Sequence, residues 1–348
     1  MPYINDRLAA QHEIAEAKTY KEHPVRQSRF YFEPAEVMAL LKSQIVGQDA
    51  ALTAVDDMLH VVKADITAGQ RPLSVMLLMG PTGVGKTETV RLIAEAIHGS
   101  ADALCRIDMN TLAQEHYAAA LTGAPPGYVG SKEGQTLFDP DKIKGSFARP
   151  GIVLFDELEK ANNDVIRALM NVLDTGRLVL SNGLKSLDFT NTLIFMSSNI
   201  GAKEIERRRS AGFSVFFSGN EKKIAAKALE SHFDPEFLNR IDRIVDYQRL
   251  SPGQCRLVLD VELTKLHRRL AKRSVQLEID YCCHDFLLES IDRRYGAREI
   301  ARRIRQILEP EIARAMLAHA DVQRFVAVFQ NSKISVAADS LRESVPQS

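Results

Sequence analysis

Ser74-Val75-Met76-Leu77-Leu78-Met79 runs directly into Gly80-Pro81-Thr82-Gly83-Val84-Gly85-Lys86-Thr87. The first six residues are a continuous apolar run bounded by Pro72 and Gly80, the pattern of a strand buried on both faces of a parallel sheet. The next eight match G-x-x-x-x-G-K-[ST]. Glycines in that spacing let the backbone curl until its N–H groups converge on phosphate oxygens. Lys86 then supplies a point charge to the β- and γ-phosphates, and Thr87 a hydroxyl to Mg²⁺. A helix is predicted from Lys86 to about Ile97. It begins at the phosphates, so its N-terminal dipole adds to the attraction. The bland alternative is a chance glycine turn, and the position between a buried strand and a helix argues against it.

Working outward, Gly151-Ile152-Val153-Leu154-Phe155-Asp156 reads as a second buried strand, closed by Asp156-Glu157. An aspartate at the end of such a strand is costly unless it meets a cation. A Mg²⁺ shared with Thr87 is that cation, and Glu157 then lies near the γ-phosphate as the base that orients water. The alternative is that the pair caps the next helix. A short strand ending at Asp108 and a run Thr192–Met196 complete the strand set. Helices are predicted near Pro34–Lys42, Ala50–Lys63 and Asp164–Leu173. Strands alternating with helices specify an α/β fold on a parallel sheet. Beyond about Val245 the pattern turns helical: Leu259, Leu263, Leu266 and Leu270 recur at helical spacing, as do Ile300, Ile304, Ile307, Leu308 and Ile312 within 298–318. A β-type run, Phe325–Phe329, precedes a polar tail. The expected organisation is an N-terminal arm (1–40), a large α/β domain (41–248), a small mostly helical domain (249–338) and a tail (339–348).

The chain has 348 residues, 45% hydrophobic and 26% charged, enough for two or three cores at about 150 residues each. Lys plus Arg and Asp plus Glu both number 45. That balance argues against a nucleic-acid backbone as the main partner. Cys105, Cys255, Cys282 and Cys283 show no C-x-x-C spacing and read as thiols of a reducing compartment. No apolar leader and no run near the roughly 18 residues of a membrane span is present, so a cytoplasmic location is expected.

With these motifs in place, the chain resembles the AAA+ ATPases, specifically the Clp unfoldases, and within them the second ATPase module of the two-ring members standing alone as a single ring. Ile45-Val46-Gly47-Gln48-Asp49 resembles the segment that the family places beside the adenine of ATP. Gly123-Ala124-Pro125-Pro126-Gly127-Tyr128-Val129-Gly130 is similar to its pore loop, which makes Tyr128 and Val129 the implied contacts to unfolded or client polypeptide. Asp174-Thr175-Gly176-Arg177-Leu178 and Ser197-Ser198-Asn199 resemble its later core, with Asn199 in the sensor-1 place. Pro235-Glu236-Phe237-Leu238-Asn239-Arg240-Ile241-Asp242 is similar to its arginine-finger motif, and Tyr295-Gly296-Ala297-Arg298 to its sensor-2 motif. The likeness runs from about Ser43 to Leu317. It implies an ATPase using ATP and Mg²⁺. Glu157, Asn199, Arg240 and Arg298 are then catalytic, Arg240 acting on a neighbouring subunit's site, so that the working form is a closed ring, a hexamer. The bland alternative for each arginine is a surface salt bridge, and for Tyr128 a core position. An ATP-switched assembly factor and a nucleic-acid motor are the rival functions.

Some residues depart from the pattern. Asp139-Pro140-Asp141-Lys142 reads as a polar surface insertion. Arg243 stands where the family usually has an acid. Ala211-Gly212-Phe213 falls where peptidase-coupled members carry a docking tripeptide, with Ala in place of a larger aliphatic residue, so a peptidase or adaptor partner stays open. Arg207-Arg208-Arg209 reads as a solvated charge run. Cys282-Cys283-His284 is too closely spaced for one tetrahedral metal. No second phosphate loop, long heptad segment or zinc-binding module is present, and no arrangement for proteolysis is readable.

Overall fold

The computed structural model describes residues 28–67, 69–113, 137–179, 186–202, 204–206, 221–289, 291–292 and 295–339. Most of the N-terminal arm, in which the sequence also suggests a short helix around Leu8–Lys18, the loop 123–130 with Tyr128 and Val129, the segments 207–209 and 211–213, and the end of the tail lie outside those residues. The chain divides into two compact units. The first takes residues up to 42, 48–80 and 86–247; the second takes 43–47, 81–85 and the chain from 248.

In the first unit, helix α1 (Pro34–Gln44) and α2 (Asp49–Lys63) lead to strand β1 (Ser74–Met79). Helix α3 (Lys86–His98) and β2 (Cys105–Asp108) follow. Next come the short helix α4 (Pro140–Lys144), β3 (Gly151–Asp156) and α5 (Asn163–Thr175). A two-stranded ribbon of β4 (Arg177–Val179) and β5 (Ser186–Asp188) precedes β6 (Thr192–Ser198). Helices α6 (Glu221–Glu230) and α7 (Pro235–Leu238) then lead into β7 (Arg243–Asp246).

The central sheet runs β2-β3-β6-β1-β7, and every pairing in it is parallel. Every residue of β1, β3 and β6 is buried, as unbroken apolar runs require in a sheet covered on both faces. Helix α5 shows how the covering elements are specified. The Asn162 side chain caps its N-terminus by accepting from Asp164 N–H, and Gly176, at φ 62°, ends it in the left-handed region. Between these caps Val165, Ile166, Leu169, Val172 and Leu173 form the buried stripe. The 139–142 segment is more than a polar insertion. Asp139 caps α4, whose Ile143 is almost fully buried and whose neighbour Lys144 offers its carbonyl to Asn191.

The second unit begins its main run with α8 (Pro252–Ala271), opened by a reciprocal Ser251–Gln254 capping box and Pro252 in the first turn. Strand β8 (Gln276–Ile279), helix α9 (Tyr281–Leu288) and α10 (Gly296–Arg303) follow. A π-helical turn, Ile304–Leu308, connects α10 to α11 (Glu309–Ala318), where the sequence reads one unbroken helix. Pro310 lies in the first turn of α11 and has no N–H for the preceding turn, so the widened turn absorbs the break. Strands β9 (Arg324–Gln330) and β10 (Lys333–Ala338) complete a three-stranded sheet, β10-β9-β8, packed with the helices. The helical reading of this domain therefore missed β8 and β10. Strand β8 is only four residues long, and β10 ends in Ala337 and Ala338, weak strand formers.

Candidate functional site

In the first unit β6 lies between β1 and β3, so the carboxyl ends of these three strands adjoin. That is the edge of an open parallel sheet where ligands bind. Lys86 and Thr87 open α3 beyond β1, Asp156 and Glu157 end β3, and Ser197, Ser198 and Asn199 end β6. The Lys86 amine donates to Asn199 Oδ1 at 2.9 Å and to the Gly80 carbonyl. Thr87 Oγ1 lies 3.4 Å from both Asp156 carboxylate oxygens. A hydroxyl and a carboxylate this close are the hard oxygen donors that magnesium takes, with waters filling the rest of its shell. The donor set fits that ion.

Ser197 organises the acidic pair. It is buried, donates its hydroxyl to Asp156 Oδ1, and accepts the Glu157 N–H at 3.1 Å. Glu157 itself has φ 59°, a left-handed conformation that costs a side-chain-bearing residue about 1–3 kcal/mol. The capping alternative is therefore not what holds Glu157: it precedes the turn Leu158–Lys160 without a side-chain cap. Glu159 Oε1 accepts from the Asn199 N–H at 3.3 Å, while its buried Oε2 has no partner among the described residues. Arg106 on β2 donates to Asp156 Oδ2 at 2.6 Å from Nη2. Behind the site, the fully buried Tyr247 hydroxyl donates to Thr89 Oγ1 at 2.9 Å. Burial pushes its pKa up to about 12.

The loop residues Pro81, Thr82, Gly83, Val84 and Gly85 cluster with the second unit. There the Gly83 carbonyl accepts from the Ala297 N–H at 2.8 Å, at the start of α10. Gly83 has φ 78°, and a Cβ on it would lie 1.9 Å from the Tyr295 carbonyl oxygen, so only glycine fits. Arg298 is the third residue of α10, with an exposed side chain, and its backbone N lies beside Gly83. Ile45 lies next to Gly85, and Val46 packs on the core of this unit. The residues read as adenine contacts thus share one unit with the loop.

Arg240 follows α7 and is engaged within its own chain. Its Nε donates to Asp174 Oδ2 at 2.5 Å and its Nη2 to Glu236 Oε1 at 3.1 Å. These partners raise its pKa above the ordinary arginine value. Arg71 anchors the same region: its guanidinium donates to the Leu173 carbonyl at 3.1 Å and to the Arg240 carbonyl at 2.9 Å. Arg243 pairs with Asp57 at 3.0 Å.

Sequence reading missed Arg71, Arg106, Ser197 as an organiser, and Glu159. Two signals were present: hydroxyls closing the apolar run of β6, and an arginine two residues before Asp108 in an alternating strand.

Comparison with known proteins adds an independent line. The family model described as AAA domain (Cdc48 subfamily) matches residues 71–244, and the C-terminal, D2-small domain, of ClpB protein matches residues 250–326. The chain is 45% identical over 347 residues to the ATP-dependent protease ATP-binding subunit-like protein AmiB of Pseudomonas aeruginosa, covering 92% of this chain and 93% of that protein. It is 42% identical over 330 residues to an ATP-dependent protease ATP-binding subunit-like protein of Rhodococcus erythropolis, covering 91% and 92%. Against the ATP-dependent Clp protease ATP-binding subunit ClpC of Staphylococcus saprophyticus it is 35% identical, over 80% of this chain but only 34% of that protein. A closed-state cryo-EM reconstruction of Hsp104 with ATPγS and FITC-casein matches with TM-score 0.75 and 26% identity, over 88% of this chain and 51% of that one.

Proposed function

The chain belongs to the AAA+ ATPases of the Clp family, and from that premise we propose that it is a cytoplasmic unfoldase that threads client polypeptide through the pore of a homohexameric ring. That it is an ATPase of the unfoldase and chaperone kind follows from membership; the threading, the ring and the residue roles are our reading. The observation that carries it is the convergence of Lys86, Thr87, Asp156, Glu157 and Asn199 at the adjoining ends of β1, β3 and β6.

In this mechanism Lys86 exchanges Asn199 Oδ1 and the Gly80 carbonyl for the β- and γ-phosphate oxygens of ATP. The N–H groups of residues 80–85 cradle the same phosphates, and Ile45 and Val46 flank the adenine. Thr87 and Asp156 would hold Mg²⁺, which when bound would supply positive charge against the phosphates. Glu157 accepts a proton as water attacks the γ-phosphorus and the bond to the β–γ bridging oxygen breaks, giving ADP and phosphate. Asn199, with a donor and an acceptor on one amide, orients that water against the γ-phosphate. Arg240 leaves Asp174 and Glu236 to supply positive charge to a neighbour's transition state, a contribution of about 10³–10⁵ in rate. Arg298 couples nucleotide state to the second unit. Tyr128 and Val129 grip an extended chain through uncharged packing, which tolerates many sequences.

The test is a pair of variants in assays of ATP turnover and of unfolding of a tagged fluorescent client. Glu157→Gln should bind ATP without turnover and retain client. Tyr128→Ala should keep most ATPase activity and lose unfolding. Unfolding unaffected by Tyr128→Ala would replace threading with an ATP-switched assembly role. ATPase stimulation by single-stranded DNA rather than by unfolded protein would point to a nucleic-acid motor. The printed names of the relatives, ATP-binding subunits of proteases, support a peptidase as an added partner. Co-sedimentation with a Clp peptidase checks that.

A further inference from the structure

The Asp156 carboxylate already has a cation against it. Arg106 donates to Asp156 Oδ2 twice, from Nη2 at 2.6 Å and from Nε at 3.1 Å. We propose that Arg106 is a stand-in for the magnesium ion: it neutralises Asp156 while the site lacks nucleotide, must withdraw before Mg²⁺ takes that carboxylate, and thereby sets the magnesium concentration at which nucleotide binds. The inference deepens the nucleotide-site reading above and rests on it.

Burial, strand register and the distances around Asp156 carry it. The Asp156 side chain is only 8% exposed, and a carboxylate this buried needs a counter-charge at all times. Ser197 satisfies Oδ1, which leaves the charge requirement to whatever faces Oδ2. The Arg106 side chain, by contrast, is 51% exposed, so its guanidinium regains water when it leaves. Strand register brings it within reach of this acid. Arg106 pairs with Leu154, two residues before Asp156 on β3, so the arginine and the aspartate are diagonal neighbours on one face. Finally, the two cations exclude each other. Thr87 Oγ1 lies 3.4 Å from both Asp156 oxygens, so an ion shared by hydroxyl and carboxylate would sit within a few ångströms of the guanidinium. Guanidinium N–H groups offer a metal no lone pair. Arg106 is therefore a competitor for Asp156 rather than a further ligand.

The experiment titrates free Mg²⁺ against binding of ADP to the full chain, so that turnover plays no part in the readout. In wild type, ADP binding should depend on magnesium and vanish in Lys86→Ala. In Arg106→Gln the magnesium midpoint should fall about five- to ten-fold, less than a fully buried charged bond would give because the guanidinium is half exposed to water. ADP affinity in EDTA should change by less than about two-fold, as expected of a residue that touches no phosphate. Arg106→Lys, which keeps the charge but loses the fork, should shift the midpoint by about two-fold in the same direction, and serves if the Gln variant does not fold. A second readout is the melting temperature. Arg106→Gln should melt below wild type without metal, and Mg²⁺ with ADP should close the gap. An unchanged or raised magnesium midpoint in a protein whose wild type is magnesium-dependent overturns the inference alone. Wild-type ADP binding that ignores both magnesium and Lys86 overturns the site reading with it.

Discussion

Replacing Ser197 with alanine removes one hydroxyl and breaks two contacts at once. The bond it donates to the buried Asp156 carboxylate is of the charged type, contributing about 1.5–3 kcal/mol, and the Glu157 N–H loses its acceptor, at about 1–3 kcal/mol when left buried. The desolvation of a buried hydroxyl is no longer required, which offsets about 1 kcal/mol of this. The net expectation is about 3 kcal/mol of destabilisation, or a melting temperature lower by about 6–12 °C for a unit of this size. Activity should suffer beyond stability, because that same N–H contact holds Glu157 at φ 59°. A shift of about 1 Å in the base corresponds to about a hundred-fold in rate. Circular dichroism melts and steady-state phosphate release measure the two effects, with Ser197→Cys, a near-isostere with a weak donor, expected between wild type and alanine. An alanine variant that melts within about 2 °C of wild type and turns over within two-fold of it would refute the bridging role of this hydroxyl.

Arg240→Ala should abolish hydrolysis, and mixing it with Glu157→Gln subunits should restore part of the activity, because each partner supplies what the other lacks; mixed rings that form yet stay inactive would remove action in trans. Arg71→Ala should lower kcat at least about ten-fold while changing nucleotide affinity less than about two-fold, since Arg71 holds the Arg240 and Leu173 carbonyls rather than the phosphate loop; fluorescence binding and turnover assays separate the two. Tyr247 should lend the fold an alkaline limit. Its folded pKa of about 12 stands above the ordinary 10, so the stabilisation is complete below pH 10 and is lost as pH rises toward 12, by about 1.4 kcal/mol per unit. Tyr247→Phe should lose about 1 kcal/mol at neutral pH and show a flatter stability profile in that alkaline window, measured by urea unfolding.

Contiguous residues determined what local backbone chemistry can encode. The apolar runs of β1, β3 and β6, the glycine spacing before Lys86 and the acids closing β3 are all legible because strand burial and loop curvature depend on residues next to one another. The same locality explains the misses in the second unit: β8 is only four residues long, β10 ends in weak strand formers, and the π turn before Pro310 looks helical in sequence. Tertiary structure alone decided which side chains meet. Strand register brings Arg106 to Asp156 across 50 positions of chain, and strand order brings Ser197 between Asp156 and Glu157. Arg71 reaches the Arg240 carbonyl from 169 positions away. An ion pair depends on distances of a few ångströms, and those are set by how strands align and helices pack, not by how far apart two residues stand in the chain.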